Sequence, residues 1–262
     1  MKDQTKHKGY KKIPLTFNRR MVIASAGVNK KKNAIHCITE VDISAPRRLI
    51  QEHLDKTGER LSFTAYIVAC LVQAVKEYPE FNSFRKGNKL IVFEDVTVSV
   101  LIERDLPGEK VPEPLGIHSA QTKTFRQIHD EIRKAQEQRN EKLGSLTDST
   151  WIRWIPNFLL KTFIRIADRN IYMAKRYGKV CVTAVGMYSK EAFWFVPHGT
   201  ATVLITVGSI SEKTVKSGEN IELREHLCLT ASFDHDIIDG APASRFMSRL
   251  IELIKSGNLL RE

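Results

Sequence analysis

Apolar residues recur at helical spacing in five stretches and alternate with polar residues in several others. Ile43 to Gly58 predicts a helix: Ser44 suits the N-cap, Pro46 the first turn, and Leu49, Ile50 and Leu54 share one face before Gly58 ends it. Ser62 to Tyr78 predicts a second, capped by Ser62 or Thr64 and stopped before Pro79. Its Ile67, Val68, Leu71, Val72 and Val75 form a wide apolar stripe. Phe125 to Leu143 predicts a third helix behind Thr124, with Ile128, Ile132 and Ala135 inward. Pro242 to Lys255 predicts the last, with Ala243, Phe246, Met247, Leu250 and Ile254 on one face. Lys89–Phe93, Val96–Glu103, Lys179–Gly186, Thr202–Ile210 and Ile221–Phe233 read as strands. Strands interspersed with helices give an α/β fold. Residues 1–12 read as a flexible basic arm, and 13–262 as one domain.

The segment SFDHDIIDGAP, Ser232 to Pro242, joins the last strand to the last helix. His235 stands there, with Asp239 four residues on and Gly240 after it. An imidazole held in such a turn beside a carboxylate suits a general base. Alone, the pattern is weak, since an isolated histidine is more often structural. Metal ligation by His235, Asp236 and Asp239 would require further spaced ligands, and no metal is expected.

Trp151 to Tyr177 combines Ile155, Phe158, Leu159, Phe163 and Ile166 at helical spacing with Lys161, Arg165, Arg169, Lys175 and Arg176. A basic amphipathic helix can lie on a membrane surface. Packing on its own domain or on a neighbouring subunit is the commoner outcome, and the one expected here.

Composition adjusts this picture modestly. The apolar fraction of 42% supports a sizeable core, and no run is long enough to span a bilayer. The N-terminus is basic and polar, without the apolar core of a secretory signal. Cys37, Cys70, Cys181 and Cys228 are widely spaced, which favours free thiols in a reducing cytoplasm over disulfides or zinc. The net charge of +11 suits a polyanionic small molecule. Its basic runs lack interleaved aromatics, and no nucleic-acid partner is expected.

Six segments, in order, resemble the catalytic domain of the acyltransferase component of 2-oxo acid dehydrogenase complexes. IPLTFNRRMVIA is similar to that family's opening IPL-x-x-x-R-K. ITEVDISAPRRLI is similar to its EVDVT-x-L, and LSFTAYIVACLVQAVKEYPEFNS to its long S-x-T helix ending in P-x-x-N. VCVTAVGM is similar to FTISNLGM, ATVLITVGSI to AAILGVGAI, and SFDHDIIDGAPASRF to SCDHRVVDGAPAARF. The resemblance covers nearly the whole chain. It implies a chloramphenicol acetyltransferase-like fold of two layers, a mixed sheet with helices on one side.

The resemblance also implies a chemistry. Acyl-coenzyme A would be a substrate, and a thiol, hydroxyl or amine the acceptor. His235 would be the base, and the hydroxyl of Thr183, where the family has serine, would donate to the oxyanion. Asp239 would order the loop with Arg19, and Gly240 would permit the turn. The site would lie between subunits of a homotrimer, with His235 from one chain and Thr183 from its neighbour. Departures are visible. Asp236 replaces the family's arginine after the histidine. ERDLPGEKVPEPLG, residues 103–116, replaces the family's GLVVPV stretch, and 151–177 reads as an insertion. No lipoyl segment precedes the core, so a free-standing enzyme without covalent lipoyl is expected. Two other readings stand beside this one: a catalytically silent trimeric scaffold, and a basic nucleic-acid or membrane binder built on the fold. The residues that bind coenzyme A are not legible.

Overall fold

The computed structural model describes residues 10–30, 32–106, 109–138, 156–186, 189 and 191–261. Most of the basic arm and part of the 151–177 segment lie outside them.

The chain runs α1 (Phe17–Asn29), β1 (Ala34–Asp42), α2 (Ser44–Thr57), α3 (Phe63–Glu77), β2 (Ser83–Lys86), β3 (Lys89–Val92), β4 (Val98–Leu106), β5 (Glu109–Ile117) and α4 (Phe125–Glu137). It continues through α5 (Asn157–Asp168), α6 (Ile171–Tyr177), β6 (Val180–Ala184), β7 (Val203–Ser217), β8 (Asn220–Asp234) and α7 (Gly240–Ser256). Six strands form one mixed sheet in the order β1-β8-β7-β6-β4-β5, while β2 and β3 make a separate hairpin. The β4/β6 and β6/β7 pairs are parallel and the other three antiparallel.

Alternation along the strands divides the sheet into two faces. Val203, Ile205 and Val207 of β7, with Leu227, Leu229, Ala231 and Phe233 of β8, join α2, α3, α4 and α7 in the main core. Phe81, stacked on Phe246 at 4.3 Å, sits at its centre. The expected helix layer on one side of a mixed sheet is present. The opposite face carries Thr183, Thr206, Thr230 and Ser232, all buried. Segment 191–200 fastens beside it: Ser209 Oγ accepts from the Phe193 amide and donates to the Glu191 carbonyl. The approach is so close that a Cβ on Gly208 would come within 2.4 Å of the Phe193 carbonyl. The β7 register shifts at the same place, between Val207 and Ile210.

Several local expectations need correction. Ser44 does not cap α2; it is the first helical residue, and Asp42 Oδ1 accepts its amide at 3.0 Å. Gly58 ends α2 in the left-handed conformation, as expected, and Ser62 caps α3 by accepting from the Ala65 amide. Helix α4 ends at Glu137, short of Leu143; 139–143 lie outside the described residues. The replaced segment 103–116 forms most of the β4–β5 hairpin. Pro112 and Pro114 fit there because β5 is an edge strand. Two residues apart, both point their missing N–H away from β4.

The amphipathic part of the 151–177 segment packs on its own domain. Leu160 and Ala24 are buried between α5 and α1, with Phe17, Met21 and Ile164 beside them. Among the described residues, no helix is long and apolar enough to cross a membrane.

Candidate active site

Strand β8 ends at Asp234, and α7 begins at Gly240. The connection is tight because the Asp234 carbonyl accepts from both the Ile237 and Ile238 amides, at 3.0 and 2.9 Å. Ile238 is buried in the core and pins the loop from inside. His235 faces outward, its side chain 45% exposed.

The loop is gripped on its outer side by three residues of distant sequence. Lys32 Nζ donates to Asp234 Oδ2 at 2.8 Å and to the Thr200 carbonyl at 2.6 Å. The Asn33 carbonyl accepts the His235 amide at 2.7 Å, and the Asn33 side-chain amide donates to Asp236 Oδ1 at 2.9 Å. Arg85, on the β2–β3 hairpin, donates to Asp236 Oδ2 at 2.9 Å. Sequence reasoning missed these holders. Lys32 stands in a run of three lysines with nothing to single it out, and no sequence signal links Arg85 to Asp236.

The other candidate residues are placed as follows. His235 Nδ1 stands 3.9 Å from Asp239 Oδ1, too long for a hydrogen bond, and Asp239 is 82% exposed. Arg19 lies exposed on α1, and no ion pair joins it to Asp239 among the described residues. Gly240 is the first residue of α7. It lacks the left-handed backbone that favours glycine, and an added Cβ would meet nothing within 4 Å, so the turn does not require it. Thr183 lies in β6 beside Thr206, which pairs in turn with Thr230 of β8. Thr183 is therefore two strands across and five residues up the strand from His235, on the order of 20 Å. One chain does not bring the two together.

A cavity of about 340 Å³ adjoins the loop, lined in part by Lys30, His36, His198, Leu204, Ser232 and Asp234. In it His36 Nδ1 and Ser232 Oγ are 2.8 Å apart. Burial pushes the Cys70 thiol up to about 12, which rules it out as a thiolate nucleophile near neutrality. The one cluster of metal-ligand type among the described residues is Glu59, His129 and Asp130, far along the chain from the loop. Arg126 already holds Glu59 through two contacts of 2.7 and 2.8 Å, with Asp130 3.3 Å away, and pulls the Glu59 carboxyl down to about 2. His129 Nδ1 accepts the Ser62 amide, so this histidine is structural.

The family model of the 2-oxoacid dehydrogenases acyltransferase catalytic domain matches residues 7–150 and 174–261. This chain belongs to that family. The unmatched gap falls within the 151–177 segment that reads as an insertion. Among curated relatives, this acyltransferase-family chain is 27% identical over 95% of its length to the lipoamide acyltransferase component of the branched-chain alpha-keto acid dehydrogenase complex of Bacillus subtilis. It spans about half of that relative, 53%. Among solved structures it is similar to Azotobacter vinelandii dihydrolipoamide acetyltransferase. The TM-score is 0.72 at 19% identity, covering 97% of this chain and 94% of that one. That study concerns the role of a serine, a histidine and, four positions on, an asparagine in its catalytic mechanism. Chloramphenicol acetyltransferase is more distant, with a TM-score of 0.50 at 14% identity over 94% of this chain and all of that one. At these identities the structural likeness speaks for the fold.

Proposed function

We propose that this chain moves an acyl group between a coenzyme A thioester and a thiol, hydroxyl or amine acceptor, as a homotrimer with its sites between subunits. The observation that carries this reading is the separation just described. His235 is exposed on a firmly held loop, and the hydroxyl the reaction requires lies about 20 Å away in the same chain. A neighbouring copy can supply it.

In the reaction, an imidazole nitrogen of His235 takes the proton from the acceptor as that atom attacks the thioester carbonyl. The Thr183 hydroxyl donates to the oxygen on which charge develops. The tetrahedral intermediate then collapses, and the leaving thiolate recovers the proton from His235. Asp239 is exposed and stands 3.9 Å from Nδ1, beyond hydrogen-bond reach in the isolated chain. Support comes from the family assignment and from the spacing of the histidine and asparagine studied in the Azotobacter enzyme. The net charge of +11 favours a polyanion such as coenzyme A. We place the reaction in the cytoplasm.

The test is an acyl-CoA panel followed by release of free coenzyme A, with dihydrolipoamide as the first acceptor and small alcohols and amines after it. Turnover of at least one pair is expected; silence across the panel would favour the scaffold reading. Thr183→Ser should retain most of the activity, whereas Thr183→Val should lose roughly 10²–10³ in kcat. Equal kcat for the Thr and Val proteins would reduce residue 183 to a strand residue. Mixing inactive His235→Ala and Thr183→Val chains should restore some activity, because certain interfaces pair an intact His235 with an intact Thr183. No recovery after verified subunit exchange would dismiss the shared site.

A further inference from the structure

We infer that Arg85 and Asn33 are positioning residues for His235, acting through Asp236. The family's pattern has arginine after the histidine; here the sign is reversed, and the structure supplies the opposite charge from elsewhere. Asp236 has its two carboxylate oxygens divided between two donors, Asn33 Nδ2 on Oδ1 and Arg85 on Oδ2, each at 2.9 Å. Asn33 also accepts the His235 amide at 2.7 Å, so one residue grips adjacent loop positions by its backbone and its side chain.

The donor on the other side is itself fixed. Arg85 stands on the β2–β3 hairpin, whose Phe84 is buried and stacked on Phe93 at 5.7 Å. Thr202 Oγ1 donates to the Ser83 carbonyl, and Asn82 Nδ2 donates to the carbonyls of Phe93 and Asp95, both at 2.9 Å. The hairpin is thus tied to the base of β7, next to where Asp234 joins it through the Thr202 carbonyl. A guanidinium on so anchored a hairpin acts as a fixed stop for the loop. Arg85 is 58% exposed and Asp236 29%, so the pair does little for overall stability. Its effect falls on placement, and a shift of about 1 Å in a reacting group can cost on the order of a hundredfold in rate.

The inference rests on the acyl-transfer reading for its consequence, though not for its geometry, and the experiment separates the two. The proteins are wild type, Arg85→Ala, Asp236→Arg and the charge-exchanged Arg85→Glu/Asp236→Arg. Three quantities are read: kcat and KM for acyl-CoA, amide hydrogen exchange of residues 234–239, and Tm. Arg85→Ala should lower kcat by about 10- to 100-fold with KM within about threefold. Loop exchange should speed up at least about tenfold while Tm moves by no more than about 4 °C. Asp236→Arg should lose as much or more, and the exchanged pair should regain at least about tenfold in kcat over it. Arg85→Ala with kcat within twofold of wild type, unchanged loop exchange in that variant, or an exchanged pair no better than Asp236→Arg would each overturn the inference. If wild type turns over no thioester, the acyl-transfer reading fails. The holding of the loop then stands or falls on the exchange rates alone.

Discussion

His235→Ala should give a folded protein whose acyl transfer falls by about 10²–10⁴-fold, the range over which a positioned base accelerates proton transfer. Stability should hardly change, for reasons local to the loop. The imidazole is half exposed and, among the described residues, makes no side-chain hydrogen bond; the Asp239 carboxylate is 3.9 Å away. The contacts that hold residue 235 run through its backbone, whose amide still reaches the Asn33 carbonyl in the alanine protein. Ile238 continues to fill the core beneath. Substitutions at such exposed positions usually stay within about 0.5 kcal/mol. Thermal melts alongside coenzyme A release measure both halves. Turnover near that of wild type in a well-folded variant would remove His235 from the mechanism.

How much of this was legible in the sequence depends on whether the deciding contacts are local. Helices α3 and α7 were readable because their stripes are long, and α3 also because its cap, Ser62, stands directly before it. His235 was readable because a strand, a tight turn and a helix follow one another without interruption. Helix α1 was not read. Its sequence, FNRRMVIASAGVN, has too weak a stripe to declare a face, and what holds it is burial of Ala24 against Leu160, a contact 136 residues away in the chain. Strand β7 was read too short, to Ile210 rather than Ser217, because beyond Ile210 its residues alternate between half-buried and exposed and the burial that marks a core strand is missing; β8 was read to within a residue of its ends. The holders of the loop were invisible for the same physical reason. Arg85 and Asn33 meet Asp236 across 151 and 203 residues, and nothing in local propensity records such a meeting.

The largest expected effect on stability lies away from the candidate site, at Asp168. This residue ends α5, and its carboxylate accepts from Lys179 Nζ at 2.7 Å, at the foot of β6. Lys179 is 5% exposed, and its ammonium lies 5.3 Å from the Phe84 ring. Burial holds the Lys179 pKa below the usual lysine value, and Asp168 opposes that pull without cancelling it. Asp168→Ala should therefore cost about 3–5 kcal/mol, because it leaves a buried charge without its partner. The sign of the pH dependence follows. A lysine whose folded pKa is depressed binds fewer protons folded than unfolded between the two values, so stability rises with pH across that window. Without Asp168 the depression deepens and the window widens downward, so the deficit should be greatest at low pH and shrink as pH rises toward the ordinary lysine value. Asp168→Ala/Lys179→Met should recover most of the loss, since an apolar replacement of the whole pair leaves no buried charge. Urea unfolding from pH 6 to pH 10 measures all three proteins. A deficit below about 1 kcal/mol, or one that grows with pH, would show that the pair is an ordinary surface contact.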